Sequence, residues 1–355
     1  MFPTPKGGLD DAWSTPSPAG RLHALIRAAE MTRAALLDEG PAIACATVRL
    51  ASFPYPSTYA FMGAALSPVP FVMMTNQMHV VQFLDDDGQR RTLIFNPTDY
   101  DRSKRAPYFA KLIEQFGSFL SEKVIPTLYG PVETRLGALG LTPADVDYLA
   151  FDHLHVQDVR RWLGDGTSPA VFPHARLLVM PAEWEAARHL HPLNRPWYVP
   201  DGVAGVPEGR VHLLPGSVKL GTGVALLKTP GHTQGNMTLA VATPHGLFTS
   251  SENGIAPECY APAKSRIPGV RSFAERMGYE VILNGNTREN SLDQYASMLV
   301  EKIVAGPSPD EPDFPAVCPS SPLTSSPFAP GFAPTYEFVP KDFGAFAARS
   351  VARAQ

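Results

Sequence analysis

The chain has 355 residues, of which 44% are hydrophobic and 18% charged, the balance of a folded protein with a sizeable core. Its net charge of −4 provides no general attraction for nucleic acid or anionic lipid. The three cysteines lie far apart without CxxC spacing, which excludes a disulfide framework and a thiolate zinc site. We find neither a secretory-signal pattern nor an apolar run of membrane-spanning length, so we expect a cytoplasmic protein.

The predicted elements begin with a helix and then change to strands. Residues 19–38 carry apolar side chains at helical spacing and end just before Gly40. We therefore assign residues 1–42 to an N-terminal helical extension. Three strand-like runs follow between residues 43 and 97, and the Asp-Asp-Asp-Gly turn between the second and third runs predicts a hairpin.

Strands and helices alternate through the rest of the central part of the chain. This mixture favours layered α/β sheets over a regular βαβ repeat, and we expect residues 43–305 to form one domain. The predicted strands are 146–151, 176–180, 211–214, 224–228, 237–242, 246–250 and 280–283. The predicted helices are 107–122, one that ends near Gly140, 182–190, 270–277 and 290–304.

The last part of the chain is rich in proline. The sequence has 37 prolines, and those between Pro307 and Pro340 are dense enough to exclude regular helix and central strand there. Aromatic residues are interleaved with them, whereas a flexible linker is poor in aromatics. We therefore expect residues 306–355 to form an extended arm, with a short terminal helix, lying on the body or on a partner subunit of a homodimer.

Histidines follow two of the predicted strands. His153 and His155 lie in the loop after the strand at 146–151, and His232 lies in a Thr-Pro-Gly-His turn after the strand at 224–228. Neutral imidazole is the commonest protein metal ligand, and three imidazoles with an open position are typical of a catalytic metal site. Asp152 precedes the first histidine, where it is placed to hold that imidazole by a hydrogen bond.

The ordered set of motifs resembles the metallo-β-lactamase superfamily. The resemblance covers about residues 45–300 and depends on four segments: ALGLTPADVDYLAFDHLHVQD, TPGHTQGN, GLFTSSEN and VILNGN. A further segment, RLLVMPAEWEAARHLHP, resembles the quorum-quenching lactonase branch of metallo-hydrolases. The resemblance implies an αββα sandwich with one or two metal ions at one edge of the two sheets.

The first metal site of that family is intact in this sequence. His153, His155 and His232 match its three histidine ligands. We therefore expect one divalent ion, either zinc or ferrous iron, because this ligand set suits both. Asp158 and Glu252 are the candidate carboxylates, and the sequence leaves open which of them coordinates the ion and which acts as the general base.

The second metal site is largely replaced. The family pattern is His-x-His-x-Asp-His, but this chain has Gln157 and Asp158 at the last two positions. Ser251 stands in register with the bridging aspartate, with Glu252 one step along, and Asn286 aligns with the final histidine. A neutral amide supplies no anionic ligand, so we expect no second tightly held ion. Gln157, Ser251 and Asn286 are remnants of the second site.

These features together predict a metal-dependent hydrolase of a small ester, lactone or related acyl substrate. The resemblance implies attack by a metal-bound hydroxide at an altered, mononuclear site. Two alternatives stay open: an iron-dependent oxidoreductase on the same fold, and a metal-free binding protein that has lost catalysis. The loops Pro54–Tyr59 and Trp197–Val206 are expected to close the pocket. We expect a small-molecule ligand and neither a nucleic acid nor a membrane as partner.

Overall fold

Two stacked β-sheets form the centre of the molecule. The structure, a computed structural model, describes residues 2–117, 126–286 and 290–349. The first sheet contains β1 (Ala44–Pro56), β2 (Phe71–Leu84), β3 (Arg90–Phe95), β4 (Thr127–Leu128), β5 (Tyr148–Ala150), β6 (Arg176–Val179), β7 (Val211–Leu213) and β12 (Leu323–Thr324). The second sheet contains β8 (Val218–Gly221), β9 (Val224–Lys228), β10 (Met237–Thr243) and β11 (Gly246–Ser250).

The connectivity of the sheets explains where the loops gather. The first sheet has the order β4-β1-β2-β3-β5-β6-β7, with β12 added beside β2. Strands β1 to β3 are antiparallel, whereas β3, β5, β6 and β7 run parallel. The second sheet is antiparallel, in the order β11-β10-β9-β8. Parallel strands end at the same edge of a sheet, so the loop after β5 lies at the edge where ligands bind in open α/β sheets.

Alternating side chains divide the apolar residues into an inner and an outer set. On β3, Leu93 and Phe95 belong to the core between the sheets, whereas Ile94 packs on the outer face. On β9, Leu226 faces inward, and Ala225 and Leu227 face the outer helices. Successive side chains of a strand point to opposite faces, so strands that are apolar throughout require a covering layer on both sides.

Helices supply the outer layers. In chain order the helices are α1 (Leu9–Trp13), α2 (Pro18–Asp38), α3 (Ser57–Ala60), α4 (Tyr100–Ser103), α5 (Pro107–Phe116), α6 (Val132–Ala138), α7 (Val159–Leu163), α8 (Pro181–Arg188), α9 (Pro257–Tyr260), α10 (Val270–Met277) and α11 (Ser291–Ala305). Helices α1, α2 and α11 cover the second sheet, and α6 and α7 contribute to the cluster outside the first. The predicted αββα sandwich is therefore confirmed. None of these helices is both long and apolar enough to cross a bilayer.

One predicted strand is wrong. Within this segment residues 281–283 are apolar and buried, but residues 280–283 form no ladder with either sheet. Their backbone pairs outside the sheets instead: the N–H of Ile282 donates to the carbonyl of Cys259 in α9. The apolar pattern of this segment correctly indicated that it is buried, but it could not show whether the segment pairs with a sheet or with other parts of the chain. The predicted helix 107–122 is observed as α5, and residues 118–122 lie outside the described residues.

The proline-rich arm lies along the body. Strand β12 pairs with Met73 and Met74 of β2, and the ring of Phe332 stacks on that of Phe61 with centroids 6.2 Å apart. Between residues 306 and 349 the arm contains no helix, and the residues after 349 lie outside the described part. Apart from the two-residue strand β12, proline prevents regular structure within the described part of the arm, so its apolar side chains are buried one at a time against the sandwich.

Replacing Phe332 with alanine tests whether the arm stabilises the fold. The ring of Phe332 is 1% exposed, and removing a buried phenylalanine ring costs about 3–5 kcal/mol. Phe328 of the same arm is 62% exposed. We expect Phe332→Ala to lower the free energy of unfolding by that amount in urea denaturation, and Phe328→Ala to change it by less than about 0.5 kcal/mol. Equal, small losses would contradict a packed arm.

Candidate metal centre

Two loops, one from each sheet, bring the three predicted histidines together. His153 and His155 lie in the loop that follows β5, and His232 lies in the turn that follows β9. The first loop turns back sharply at Val156, whose φ of 57° is rare for a β-branched residue. The N–H of Val156 donates to the carbonyl of Trp197, which fixes this bend. Backbone strain of this kind persists only where the surroundings enforce it.

The three imidazole rings form a compact buried group. The ring centroid of His153 lies 4.7 Å from that of His155 and 4.4 Å from that of His232, and the centroids of His155 and His232 are 5.1 Å apart. One ring nitrogen from each histidine lies within 4.8 Å of the others, so the group could hold a metal ion. The three residues are 6%, 4% and 1% exposed.

The protonation state of His155 and His232 suits metal binding. Burial, together with the charge on His153, lowers the pKa of His155 and of His232 well below the ordinary value of 6.5. Both rings are therefore neutral at physiological pH, which is the form that coordinates metals. Nε2 of His155 is buried and has no hydrogen-bond partner among the described residues. A buried nitrogen without a partner is costly, and a bound cation would remove this cost.

Asp152 fixes the ring of His153, the remaining histidine of the group. Its Oδ1 accepts hydrogen bonds from the backbone N–H of His153, at 2.9 Å, and from Nδ1 of the same residue, at 2.8 Å. This leaves Nε2 of His153 for a ligand. Burial by itself lowers the pKa of His153, but the charge and hydrogen bond of Asp152, with the charges of Glu252 and Glu183, outweigh burial and raise it to about 9.

Glu252 reaches the cavity and Ser251 does not. The carboxylate of Glu252 lies within 4.8 Å of ligand atoms of Asp152 and His153, and burial raises its pKa to about 7. Oγ of Ser251 instead accepts a hydrogen bond from Nδ2 of Asn236 at 3.1 Å, in the interior behind the site. The sequence placed Ser251 in register with the family's bridging aspartate, with Glu252 one step along. Of these two residues, the structure places Glu252 beside the histidines.

Gln157 and Asn286, which the sequence analysis assigned to a replaced second site, line the same cavity. Nε2 of Gln157 donates to Oγ1 of Thr98 at 2.9 Å. The amide oxygens of Gln157 and Asn286 are buried and have no hydrogen-bond partner among the described residues. Both positions therefore present neutral acceptor oxygens beside the histidine group, where a second cation would need charged or imidazole ligands.

The structure does not bring Asp158 into the histidine group. Its carboxylate is buried and paired with Arg102 at 3.1 Å, Arg105 at 3.3 Å and Arg160 at 2.8 Å. The sequence places Asp158 only three residues after His155, but α7 begins immediately afterwards and carries its side chain towards the arginines. Three guanidinium groups already occupy both oxygens, so Asp158 is not available as the fourth ligand or the general base that the sequence suggested.

Sequence reasoning missed Glu183, which joins the two histidine loops. Oε1 of this buried residue on α8 accepts hydrogen bonds from the backbone N–H of Leu154 at 2.8 Å and from the hydroxyl of Tyr198 at 2.9 Å. Oε2 accepts from Oγ1 of Thr233 at 2.5 Å. The signal was a glutamate on the apolar side of a short helix, within the segment that resembles the lactonase branch.

The buried carboxylate of Glu301 supports the turn that carries His232. The backbone N–H of His232 donates to Oδ1 of Asn253 at 2.8 Å, and Nδ2 of Asn253 donates to Oε1 of Glu301 at 2.7 Å. Thr238 and Tyr260 also donate to this carboxylate. Burial raises the pKa of Glu301 to about 7, although the hydrogen bonds oppose the shift. A hydrogen-bond network that runs through Asn253 to Glu301 on α11 thus holds the turn that carries His232.

The histidine group forms part of the wall of a mostly apolar cavity of about 280 Å³. Part of its wall comes from the two segments expected to close the pocket, through Trp197 and through Pro54 and Tyr55, which lie on strand β1 and not in a loop. The remainder includes residues of α4, α5 and the neighbouring strands that the sequence did not assign to the pocket. The large apolar and aromatic residues of the wall are Phe53, Tyr55, Phe71, Tyr100, Phe109, Leu112, Ile113 and Trp197.

Comparison with curated proteins finds lactonases. No protein-family model matches the chain. Over 129 residues the chain is 30% identical to an N-acyl homoserine lactonase from Bacillus sp and 28% identical to one from Bacillus cereus. The match covers 36% of this chain and 46% of each relative. The chain thus matches about half the length of these curated relatives.

Comparison with solved structures finds the same fold. AidC, a dizinc quorum-quenching lactonase solved with a bound product, superposes with a TM-score of 0.50 at 12% identity. The superposition covers 84% of this chain and 94% of that chain. The resemblance to the metallo-β-lactamase superfamily that the motifs indicated is therefore confirmed at the level of the fold.

Replacing Glu183 tests its role in joining the loops. Glu183→Ala leaves the N–H of Leu154 and two buried hydroxyls without their acceptor, and each hydrogen bond to a charged group contributes about 1.5–3 kcal/mol. We expect the free energy of unfolding to fall by at least about 3 kcal/mol in urea denaturation followed by circular dichroism. Glu185→Ala, on the same helix, removes an exposed pair with His189 and should cost less than about 0.5 kcal/mol. Similar losses in both variants would rule out the bridging role.

The pH dependence of stability tests the environment of Glu301. The native state keeps a proton on Glu301 between pH 4.5 and about 7, whereas the unfolded chain has released it. The contribution of protonated Glu301 to the free energy of unfolding is therefore complete below pH 4.5 and is lost as the pH rises through about 7. Glu301→Gln removes the titration, so its stability relative to wild type should rise by up to about 3 kcal/mol from pH 4.5 to pH 8.

Urea denaturation at a series of pH values measures this difference. Glu280→Gln provides the control, since Glu280 is exposed at the surface. The difference between Glu301→Gln and wild type should change with pH, and the difference for the control should stay constant. A constant difference for both variants would show that Glu301 titrates as an ordinary glutamate.

Proposed function

We propose that this chain, which has the metallo-β-lactamase fold, is a metal-dependent hydrolase that opens a lactone or small ester carrying an apolar acyl chain. The observation that carries the proposal is the group of three buried imidazoles in the wall of a mostly apolar cavity. Its curated relatives are named N-acyl homoserine lactonases, which supports a lactone as the substrate class.

The residues present fit one cation. His153, His155 and His232 would hold it, and the unpartnered Nε2 of His155 is the observation that favours a bound ion over a hydrogen-bonded polar cluster. A divalent ion at this place supplies Lewis-acid activation of an ester carbonyl and of water. Gln157 and Asn286 offer only neutral amide oxygens, so we propose a single ion, although the structural neighbour AidC is a dizinc enzyme.

Glu252 is the proposed general base. It is the carboxylate that lines the cavity next to the histidines and is not engaged by an arginine, whereas Asp152 is occupied by His153. A general base needs a position within reach of the reacting water and a pKa near the working pH. The position of Glu252 in the cavity wall beside His153 supports the first requirement, and removal of its carboxyl from water shifts its pKa towards the second.

The cavity favours an elongated apolar group on the substrate. Its wall is built mainly from aromatic and aliphatic side chains, and Phe53 and Phe109 pack edge to face at 6.0 Å to form one side. Apolar walls favour an acyl chain through removal of hydrocarbon from water. The unpartnered amide oxygens of Gln157 and Asn286 are placed to accept from a donor near the reacting ester, such as an amide N–H.

Metal binding and hydrolysis are tested on the full chain. Elemental analysis of the purified protein gives the metal, and thermal shift with added Zn²⁺ or Fe²⁺ measures stabilisation of the native state by the ion. We expect stabilisation of wild type and of His189→Ala, whose ring is exposed on α8, and none for His232→Ala. A panel of lactones with increasing acyl length should show kcat/KM rising with chain length.

Glu252→Gln separates catalysis from metal binding. The variant should retain the ion, and kcat should fall by about 10²–10⁴, the usual contribution of a positioned general base. Iron with an oxygen-dependent activity would instead favour an oxidoreductase. A wild-type protein that no ion stabilises and that opens no lactone would favour a metal-free binding protein. Either result would overturn the proposed function.

A further inference from the structure

The C-terminal arm passes directly beneath the histidine group. The N–H of Cys318 donates to the carbonyl of Thr249 on β11, and the N–H of Ser320 donates to the carbonyl of Ser251. On the other side, the N–H of Gln77 on β2 donates to the carbonyl of Ser320. Backbone hydrogen bonds therefore fix residues 318–320 between one strand of each sheet, at the edge where the histidine group lies.

The Ser320 hydroxyl lies between two carboxylates of the site. Its oxygen is 2.5 Å from Oδ2 of Asp152 and 3.3 Å from Oε2 of Glu252. The residue is 1% exposed, so water does not compete for its proton. Since a hydroxyl has one proton to donate, the shorter distance assigns that proton to Asp152.

Asp152 is then held at both oxygens. Oδ2 accepts from Ser320, while Oδ1 accepts from the ring and the backbone of His153. A carboxylate that hydrogen-bonds a ligating imidazole sets the orientation and basicity of that ring, and such outer contacts affect metal affinity about 10–100-fold. Without the hydroxyl, the buried Oδ2 of Asp152 would lose this donor next to the carboxylate of Glu252.

We propose that Ser320 is a positioning residue of the metal centre, supplied by the arm: its hydroxyl holds Asp152, and Asp152 holds the ring of His153 for the ion. This inference rests on the proposed function, because it requires an ion at the histidine group. The resemblance to known hydrolases placed the arm outside the catalytic domain. The hydrogen bonds make it part of the site.

The test measures the affinity of the full-length protein for Zn²⁺ by competition with a chromophoric chelator. We expect Ser320→Ala to bind Zn²⁺ about tenfold more weakly than wild type. Ser320→Thr keeps the hydroxyl and should bind as wild type does. Ser308→Ala is the matched control, since Ser308 is a buried serine of the same arm whose hydroxyl pairs with that of Tyr336, at 2.7 Å. Its affinity should not change.

A double-mutant cycle with Asp152→Asn shows whether Ser320 acts through Asp152. If it does, adding Ser320→Ala to Asp152→Asn causes little further loss of affinity. Melting temperatures of the metal-free proteins, measured in parallel, report any loss of folding. If Ser320→Ala does not fold, Ser320→Cys keeps the size of the side chain, replaces a strong donor with a weak one, and should lose affinity in the same direction.

The outcomes separate this inference from the proposed function. A folded Ser320→Ala protein that binds Zn²⁺ as tightly as wild type overturns the role of Ser320 and leaves the hydrolase proposal intact. A loss that simply adds to that of Asp152→Asn also overturns it, because the hydroxyl would then act by another route. A wild-type chain that binds no Zn²⁺ overturns the proposed function, and this inference fails with it.

Discussion

The candidate site depends on buried carboxylates that hold two separate loops in one place. Glu183 receives hydrogen bonds from both histidine loops, Asp152 holds the ring of His153, and Glu301 supports the turn of His232 through Asn253. Three imidazoles in close contact away from water have no intrinsic tendency to converge. They do so because the hydrogen bonds of the surrounding loops leave the backbone little freedom.

The same carboxylates give the site its electrostatic character. Asp152, Glu183 and Glu252 lie around a group of imidazoles of which two are held neutral by burial, so the local field favours a cation. Asp158, in contrast, is neutralised by arginines on the other side of the loop. Carboxylates that are close together in sequence therefore have different roles, according to which charged groups the fold places beside them.

The arm shows how a proline-rich segment becomes part of a folded site. It forms no helix between residues 306 and 349, and between residues 316 and 324 its backbone pairs mainly with strands β2 and β11. This arrangement allows the arm to cross the gap between the sheets. A regular helix could not do so, because its backbone groups would already be satisfied internally. Ser320 consequently reaches carboxylates that belong to both halves of the sandwich.

The sequence alone determined the mixture of strands and helices and the three histidines, because strand periodicity and ligand motifs are local patterns. The resemblance of those motifs to a known family implied the two-sheet sandwich and, through the positions of Gln157 and Asn286, an altered second metal site. Only the tertiary structure paired Asp158 with arginines, placed Glu252 beside His153, brought Glu183 and Ser320 to the site, and joined Ile282 to α9 instead of to a sheet. These outcomes depend on contacts between segments far apart in the chain, and a side chain's partner across such a distance leaves no mark in the neighbouring sequence.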